Sequence, residues 1–134
     1  VEDAEVQEGC RAIGFGATVP GPSDVGVVDD LIVDRAFLDE RRTSALELAE
    51  LDDVTTAGLA TPHGLANTLA AAALARAVGV APIAVRDALR RFRLDAHRTE
   101  LVALEADIAW VDDSKATNPH AAASALSAYR SIVW

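Results

Sequence analysis

The sequence predicts an α/β fold that contains parts of two domains. In the first part, strand-like segments around a turn are followed by two helices. After Leu94 the pattern changes to alternation, and a polar loop, a capped helix and another strand-like segment follow, which is the order that opens a βαβ unit. A chain of 134 residues with 51% apolar content can build a core for such a fold. We assign residues 1–94 to the first part and residues 95–134 to the second.

The first part begins with strands. Residues 11–16 are expected to form a short buried strand, because apolar residues are punctuated there by glycines. Residues 25–28 and 31–37 are strand-like on either side of a turn at Asp29–Asp30, which predicts an antiparallel hairpin. The segment 44–51 fits both the helix and the strand templates, and its short length leaves both open.

Two helices complete the first part. Thr61 and Pro62 suit the cap and the first position of a helix that Gly79 closes. A second helix is predicted from about Pro82 to Phe92. The side chains expected to face the core are Leu65, Leu69, Ala72, Ala73 and Leu74 on the first helix, and Ile83, Val85, Leu89 and Phe92 on the second.

The second part is predicted to alternate strands with a helix. Residues 101–103 and 108–110 have strand spacing around a turn at 105–107. Residues 118–129 form an alanine-rich helix that begins with a capping asparagine and a proline. Residues 132–134 return as the next strand, and this connection predicts a parallel sheet.

Composition narrows the possible functions. The formal net charge of −9 argues against nucleic acid or an anionic membrane as a partner, because both require clustered Lys and Arg. Cys10 is the only cysteine, which excludes an internal disulfide and fits a reducing cytoplasm. No apolar run is long enough for a membrane span, and the first residues lack the layout of a signal peptide. The first residue is not methionine and the last residues are strand-like, so we expect both ends to lie inside a longer protein.

The loop from Asp112 to Asn118 is the predicted place for chemistry. It joins a strand end to a helix start, which is where α/β sheets bind ligands. The free amides at Asn118 favour an anion, and Lys115, the sole lysine among twelve basic residues, adds a mobile positive charge. The pattern is equally compatible with a capped surface helix beside a solvated lysine.

Three motifs resemble the Mur ligase family, in particular its D-glutamate-adding branch. The string Asp-Ser-Lys-Ala-Thr-Asn at 113–118 resembles a signature at the start of that family's C-terminal domain. His97-Arg98 resembles the junction between its central and C-terminal domains. His63–Asn67 resembles a His-Asn-x-x-Asn helix start in its central domain. The resemblance implies the end of a P-loop-type ATPase domain, followed by the opening βαβ of a Rossmann-like C-terminal domain.

The resemblance also implies a reaction and a set of site residues. It implies an ATP-dependent amide ligase that adds D-glutamate to UDP-N-acetylmuramoyl-L-alanine through an acyl phosphate, in peptidoglycan synthesis. ATP and magnesium are the implied cofactors, with the magnesium held mainly by residues outside this chain. By this resemblance Asn67 binds adenine, and Arg98 and Asp113 contact the ribose and phosphate region of the nucleotide. Lys115 makes a catalytic contact with the transferring phosphate. Thr117 and the adjacent His97 lie at the D-glutamate pocket.

The chain departs from the family pattern in two places. Gly64 stands where many members have asparagine, so one adenine contact is missing or is made by the backbone. No Gly-x-x-x-x-Gly-Lys-Thr/Ser loop occurs, so we expect the isolated chain to be inactive. His63 and His120 are expected to be local hydrogen-bond partners, and no metal site is predicted. The alternatives are another Mur or folylpolyglutamate-type ligase, or a noncatalytic nucleotide-binding or interaction module.

Overall fold

The chain contains both sheets and helices, arranged in two units that divide between Phe92 and Arg93. The computed structural model describes residues 5–134. Each unit has its own sheet, so the predicted mixture of α and β structure is confirmed. Among the described residues, no helix combines the length and the apolar character that crossing a membrane would require.

A four-stranded sheet, in the order β1-β2-β3-β4, organises the first unit. Its strands are β1 (Gly14–Phe15), β2 (Asp24–Val28), β3 (Leu31–Asp34) and β4 (Leu46–Glu50). The pair β1–β2 is parallel, whereas β2–β3 and β3–β4 are antiparallel. The predicted hairpin and its turn at Asp29–Asp30 are confirmed, although the second strand ends at Asp34 instead of residue 37. Asp29 has a φ of 54°, a conformation that aspartate tolerates in tight turns.

The segment that matched both templates contains a strand and the start of a helix. Strand β4 ends at Glu50, and helix α1 (Leu51–Thr56) begins at the next residue. The Glu50 amide donates to Oδ2 of Asp53 at 3.1 Å, which satisfies an amide that the helix itself leaves free. This capping contact allows the chain to change from strand to helix without a connecting loop.

Helix α2 (Pro62–Ala77) begins as predicted. The Thr61 hydroxyl accepts a hydrogen bond from the Gly64 amide at 3.1 Å and so caps the first turn. Leu69, Ala72 and Ala73 are buried, as expected, but Leu74 is 72% exposed. The prediction for Leu74 is wrong because the side chains of Leu69, Ala72 and Ala73 already form the face that meets the sheet, and residue 74 falls beside that face.

Helix α3 (Pro82–Arg91) packs on β4 and α1 through a narrow face. Leu89 is buried and Val85 packs against the core, but Ile83 is 60% exposed and Phe92 is 41% exposed, so the prediction is wrong for these two residues. Only positions one helical turn apart, such as 85 and 89, can share so narrow a contact. Two ion pairs flank this contact, Arg86–Glu47 and Arg90–Asp53.

The core of the first unit lies between the sheet and the three helices. Its least exposed large side chains come from three strands and from α2, which shows that the sheet and α2 bury one common surface. The buried cluster comprises Val25, Ile32, Leu48, Ala49, Val54, Ala57, Leu69, Ala72, Ala73 and Leu89.

The second unit is a hairpin followed by a helix. Strands β5 (Glu100–Glu105) and β6 (Ile108–Asp112) are antiparallel and are joined by Ala106 and Asp107, with φ values of 49° and 63°. Two successive residues with positive φ are typical of the two-residue turns that match the twist of a hairpin. The predicted strands and turn are therefore confirmed.

Helix α4 (Pro119–Leu126) follows, and the Asn118 side chain caps it as predicted by accepting the Ala121 amide at 2.9 Å. The helix ends three residues before the predicted residue 129.

The strand predicted at residues 132–134 does not form in the structure. The βαβ order and the parallel sheet predicted for the second part are therefore absent from it. A strand needs a neighbour for its amides and carbonyls, and within the described part of the second unit β5 and β6 pair only with each other. Val133 and Trp134 are 102% and 97% exposed.

Candidate functional site

The loop between β6 and α4 is folded into a tight turn by its own backbone. The Ala116 amide donates to the Asp113 carbonyl at 2.8 Å, and the Thr117 amide donates to the Lys115 carbonyl at 2.9 Å. Both bonds span two or three residues, which is the reach of a turn, so the loop has a defined course before α4 begins.

A segment that precedes β5 lies against this loop. We call residues Asp95–Thr99 the linker strap, because they follow the division between the two units. The Lys115 amide donates to the His97 carbonyl at 3.1 Å. The Thr99 amide and hydroxyl both donate to Oδ1 of Asp113, at 2.9 and 3.3 Å. The strap and the loop are therefore joined by backbone and side-chain contacts.

An imidazole and a carboxylate form the shortest side-chain contact of this region. Nδ1 of His97 lies 2.7 Å from Oδ2 of Asp112. The hydrogen bond and the negative charge of Asp112 raise the pKa of His97 above its ordinary value of 6.5. The same hydrogen bond, with two further bonds to Ser114, lowers the pKa of Asp112 to about 2. The two shifts favour a charged pair, although both side chains remain open to solvent.

The ammonium group of Lys115 is accessible and weakly held. Its Nζ lies 3.3 Å from Oδ2 of Asp95, and the two side chains are 44% and 72% exposed. An exposed pair of this kind contributes little to stability and exchanges readily with solvent or with another anion. Lys115 is therefore free to move towards an incoming phosphate or carboxylate.

The remaining predicted residues of the second unit are open to solvent. The side chains of Arg98, in the strap, and Thr117, in the loop, are exposed. The structure thus brings His97, Arg98, Asp113, Lys115 and Thr117 into one pair of adjoining segments. An exposed ammonium, an exposed guanidinium and a carboxylate whose Oδ2 has no hydrogen bond to the described residues suit a polyanionic ligand that also carries hydroxyl groups.

The sixth predicted residue, Asn67, lies in the first unit and is exposed on α2, one turn after the capped start of the helix. Nearby, Nε2 of His63 lies 3.2 Å from the Thr61 hydroxyl, which fits the predicted local role of that histidine. A Cβ at Gly64 would lie 2.5 Å from the Leu59 carbonyl, so the structure has no space for a side chain at this position. Any contact made by residue 64 must come from its backbone.

Asp95 and Thr99 join the site although the sequence interpretation did not select them, and Asp112, the first residue of the predicted loop, had been given no role of its own. The available signal was the hairpin turn at 106–107, since counting back from it pairs Glu100 with Asp113, one residue beyond the observed partner Asp112, and so already brings the strap beside the loop. A register shift between Leu101 and Ala103 moves this pairing by one residue, which a simple count would miss.

One group in the described part of the chain has metal-ligand types close together. Atoms of His97, Glu100 and Asp112 that could serve as ligands lie within 4.8 Å of one another. Hydrogen bonds already account for this arrangement, because Glu100 accepts the His97 amide at 2.8 Å and Asp112 pairs with the imidazole. These two hydrogen bonds therefore help to hold the strap against β5 and β6.

The chain is similar along its whole length to ligases of known name. No protein-family model matches it. It is 65% identical over 134 residues to the UDP-N-acetylmuramoylalanine–D-glutamate ligase of Leifsonia xyli subsp. xyli, and 58% identical over 134 residues to the ligase of that name from Streptomyces coelicolor. Identity to the Tropheryma whipplei ligase is 45% over 133 residues. The chain spans 26%, 28% and 28% of the lengths of these three relatives.

Proposed function

Because this chain belongs to the Mur ligase family and matches about a quarter of the length of its relatives, we propose that it is part of an ATP-dependent ligase that adds D-glutamate to UDP-N-acetylmuramoyl-L-alanine. In this proposal residues 1–94 are the end of a central, P-loop-type ATP-binding domain. Residues 95–134 are the beginning of a Rossmann-like C-terminal domain. The enzyme acts in the cytoplasm in peptidoglycan synthesis, which suits a chain whose single cysteine, Cys10, is free.

The proposed reaction has two steps. An oxygen of the substrate carboxylate attacks the γ-phosphorus of ATP and releases ADP, which leaves an acyl phosphate. The amine of D-glutamate then attacks the acyl carbon, inorganic phosphate leaves, and the amine loses a proton as the amide forms. Both steps require positioning and neutralisation of negative charge more than covalent help from the protein.

The observation that carries the mechanism is the exposed ammonium of Lys115, which a weak contact with Asp95 restrains. We assign Lys115 to neutralising charge on the transferring phosphoryl group, as a mobile point charge can do. Arg98 and Asp113 bind the ribose and phosphate region of the nucleotide, and Asn67 binds adenine through an amide that both donates and accepts. Thr117 and His97 line the D-glutamate pocket.

The donor set suits ATP better than a bound metal. Lys115 and Arg98 offer positive charge to phosphates, and Asp113 keeps one carboxylate oxygen for a ligand. Magnesium requires several oxygen ligands. The strap and the loop offer carboxylates that already accept hydrogen bonds, so the proposal leaves magnesium to residues outside this chain.

The first experiment is phosphate release by the complete reading frame that contains these residues. With ATP, magnesium and UDP-N-acetylmuramoyl-L-alanine, release should depend on D-glutamate and not on other amino acids. Dependence on another amino acid would support a ligase of the same family with a different acceptor substrate. An absence of release in every mixture would contradict the ligase and favour a noncatalytic nucleotide-binding module.

The role of Lys115 is tested in the same protein by Lys115→Ala. We expect kcat to fall about 100- to 1,000-fold, the range for losing one electrostatic contact to the transition state, while the KM for ATP stays within about threefold. Arg42→Ala, which removes an exposed cation of the first unit, is the matched control and should leave both constants unchanged. A change confined to the KM for ATP would count against a role in phosphoryl transfer.

A further inference from the structure

Thr99 makes an unusual contact with a proposed ligand-binding carboxylate. Its amide and its hydroxyl converge on the same oxygen, Oδ1 of Asp113, at 2.9 and 3.3 Å. Both residues are half-buried. Two donors on one oxygen fix the plane of the carboxylate and leave Oδ2 as the oxygen that can accept a hydrogen bond from a ligand.

The backbone of Thr99 supports a positioning role. Its φ is 51°, in the left-handed region that β-branched residues rarely adopt. Residues persist in that region when their surroundings determine the conformation, and such residues cluster at functional sites. In the left-handed conformation both donors of Thr99 reach the same carboxylate oxygen, and the bonds to Asp113 in turn hold the conformation.

The contact is part of a regular arrangement. The side chains of alternate residues of the linker strap, Asp95, His97 and Thr99, contact Lys115, Asp112 and Asp113 in turn. Of these three contacts, those of Asp95 and His97 join opposite charges on exposed side chains, which solvent screens. The Thr99 contact is the half-buried one, and it involves a backbone donor as well as a side chain, so it is the most directional of the three.

We propose that Thr99 is a positioning residue for Asp113 in nucleotide binding. By holding Oδ1, it directs Oδ2 towards a hydrogen-bond donor of the nucleotide. This inference rests on the proposed function, because it takes Asp113 to be a nucleotide-binding residue. Thr99 itself does not touch the ligand.

The test is Thr99→Val in the complete protein. Valine keeps the β-branched shape and the backbone amide and removes only the hydroxyl donor. We expect the KM for ATP to rise about 3- to 10-fold, the effect of one hydrogen bond, with kcat and the KM for D-glutamate within about twofold. Thr99→Ser restores the hydroxyl and should return the KM for ATP to within about twofold of the wild type.

Two comparisons separate positioning from a structural role. Thr43→Val removes the hydroxyl of an exposed threonine, whose only partner in the described chain is the Glu40 carbonyl, and should leave the KM for ATP unchanged. Combined with Asp113→Asn, Thr99→Val should have almost no further effect on ATP affinity measured by calorimetry, because the group it positions is already altered. Additive effects, or a lower melting temperature with an unchanged KM, would overturn the proposal.

The same experiments separate a failure of the positioning role of Thr99 from a failure of the proposed ligase activity. A wild-type protein that binds ATP without D-glutamate-dependent phosphate release would contradict the ligase, while calorimetry on Thr99→Val would still decide the positioning role. A wild-type protein that binds no ATP would overturn both.

Discussion

Replacing Asp34 with asparagine should destabilise the first unit through the loss of one buried charge. Asp34 is fully buried at the end of β3, and its Oδ2 accepts a hydrogen bond from Nε of Arg76 at 2.8 Å. Its Oδ1 accepts the amides of Ala36 and Phe37 at 2.7 and 2.9 Å. The carboxylate thus joins the end of the sheet, the following loop and the last turn of α2.

The size of the destabilisation depends on which hydrogen bonds of Asp34 an asparagine can still make. Its carbonyl oxygen can still accept both amides, but its NH₂ group then faces the guanidinium of Arg76, whose side chain is only 10% exposed. Removing one partner of a buried ion pair costs about 3–5 kcal/mol. Arg76 also donates to the carbonyls of Val80 and Phe37, which favours the lower end of that range, about 3 kcal/mol.

Urea denaturation can measure this loss in the 134-residue chain. With a urea dependence of about 2 kcal/mol per molar, a loss of about 3 kcal/mol lowers the unfolding midpoint by about 1.5 M. Three of the four helices that residues 5–134 form lie in the first unit, so far-UV circular dichroism reports mainly on that unit. Both tryptophans, Trp110 and Trp134, lie in the second unit, so their fluorescence reports on that unit.

We expect Asp34→Asn to shift the circular dichroism transition and to leave the fluorescence transition unchanged. Asp39→Asn, at an exposed position five residues later, removes the same charge and is the matched control, with a midpoint close to that of the wild type. A midpoint lowered by less than about 0.5 M in Asp34→Asn would correspond to about 1 kcal/mol, the level of a surface pair, and would refute the reasoning.

Two further predictions concern stability. Asp112 raises the pKa of His97 above 6.5, so the stability that the pair contributes is complete below pH 6.5 and is lost as the pH rises through the raised pKa. His97 in turn lowers the pKa of Asp112, so at the acid end this stability is complete above pH 3.8 and is lost as the pH falls towards 2. His97→Gln should flatten both dependences in fluorescence-detected unfolding, and an unchanged pH profile would contradict the pairing. Gly64→Ala should lower the unfolding free energy by about 1–3 kcal/mol, because its Cβ would lie 2.5 Å from the Leu59 carbonyl. Gly16→Ala is the control and should be nearly neutral, because no atom would lie closer than 3.9 Å to its Cβ. Unfolding of both variants is measured by circular dichroism.

Local features of the sequence were sufficient to predict where helices α2 and α4 begin and where the two tight hairpin turns lie. Thr61 and Asn118 cap helices because each side chain bonds an amide three residues later, a contact that depends only on the adjacent residues. The turns at 29–30 and 106–107 likewise depend on short segments. The grouping of His97 with residues 113–117 was available from the family resemblance, and the structure brings these residues into contact.

Only the tertiary structure decided which apolar residues are buried and which polar residues pair. Leu74 and Ile83 lie outside the faces that meet the sheet, although each has a helical spacing compatible with burial. Asp34 is buried because Arg76, forty-two residues away, supplies its counter-charge. Residues 132–134 remain without a strand because an extended segment needs a neighbour to bond. Such contacts form between segments distant in sequence, and periodicity within one segment carries no information about its partner.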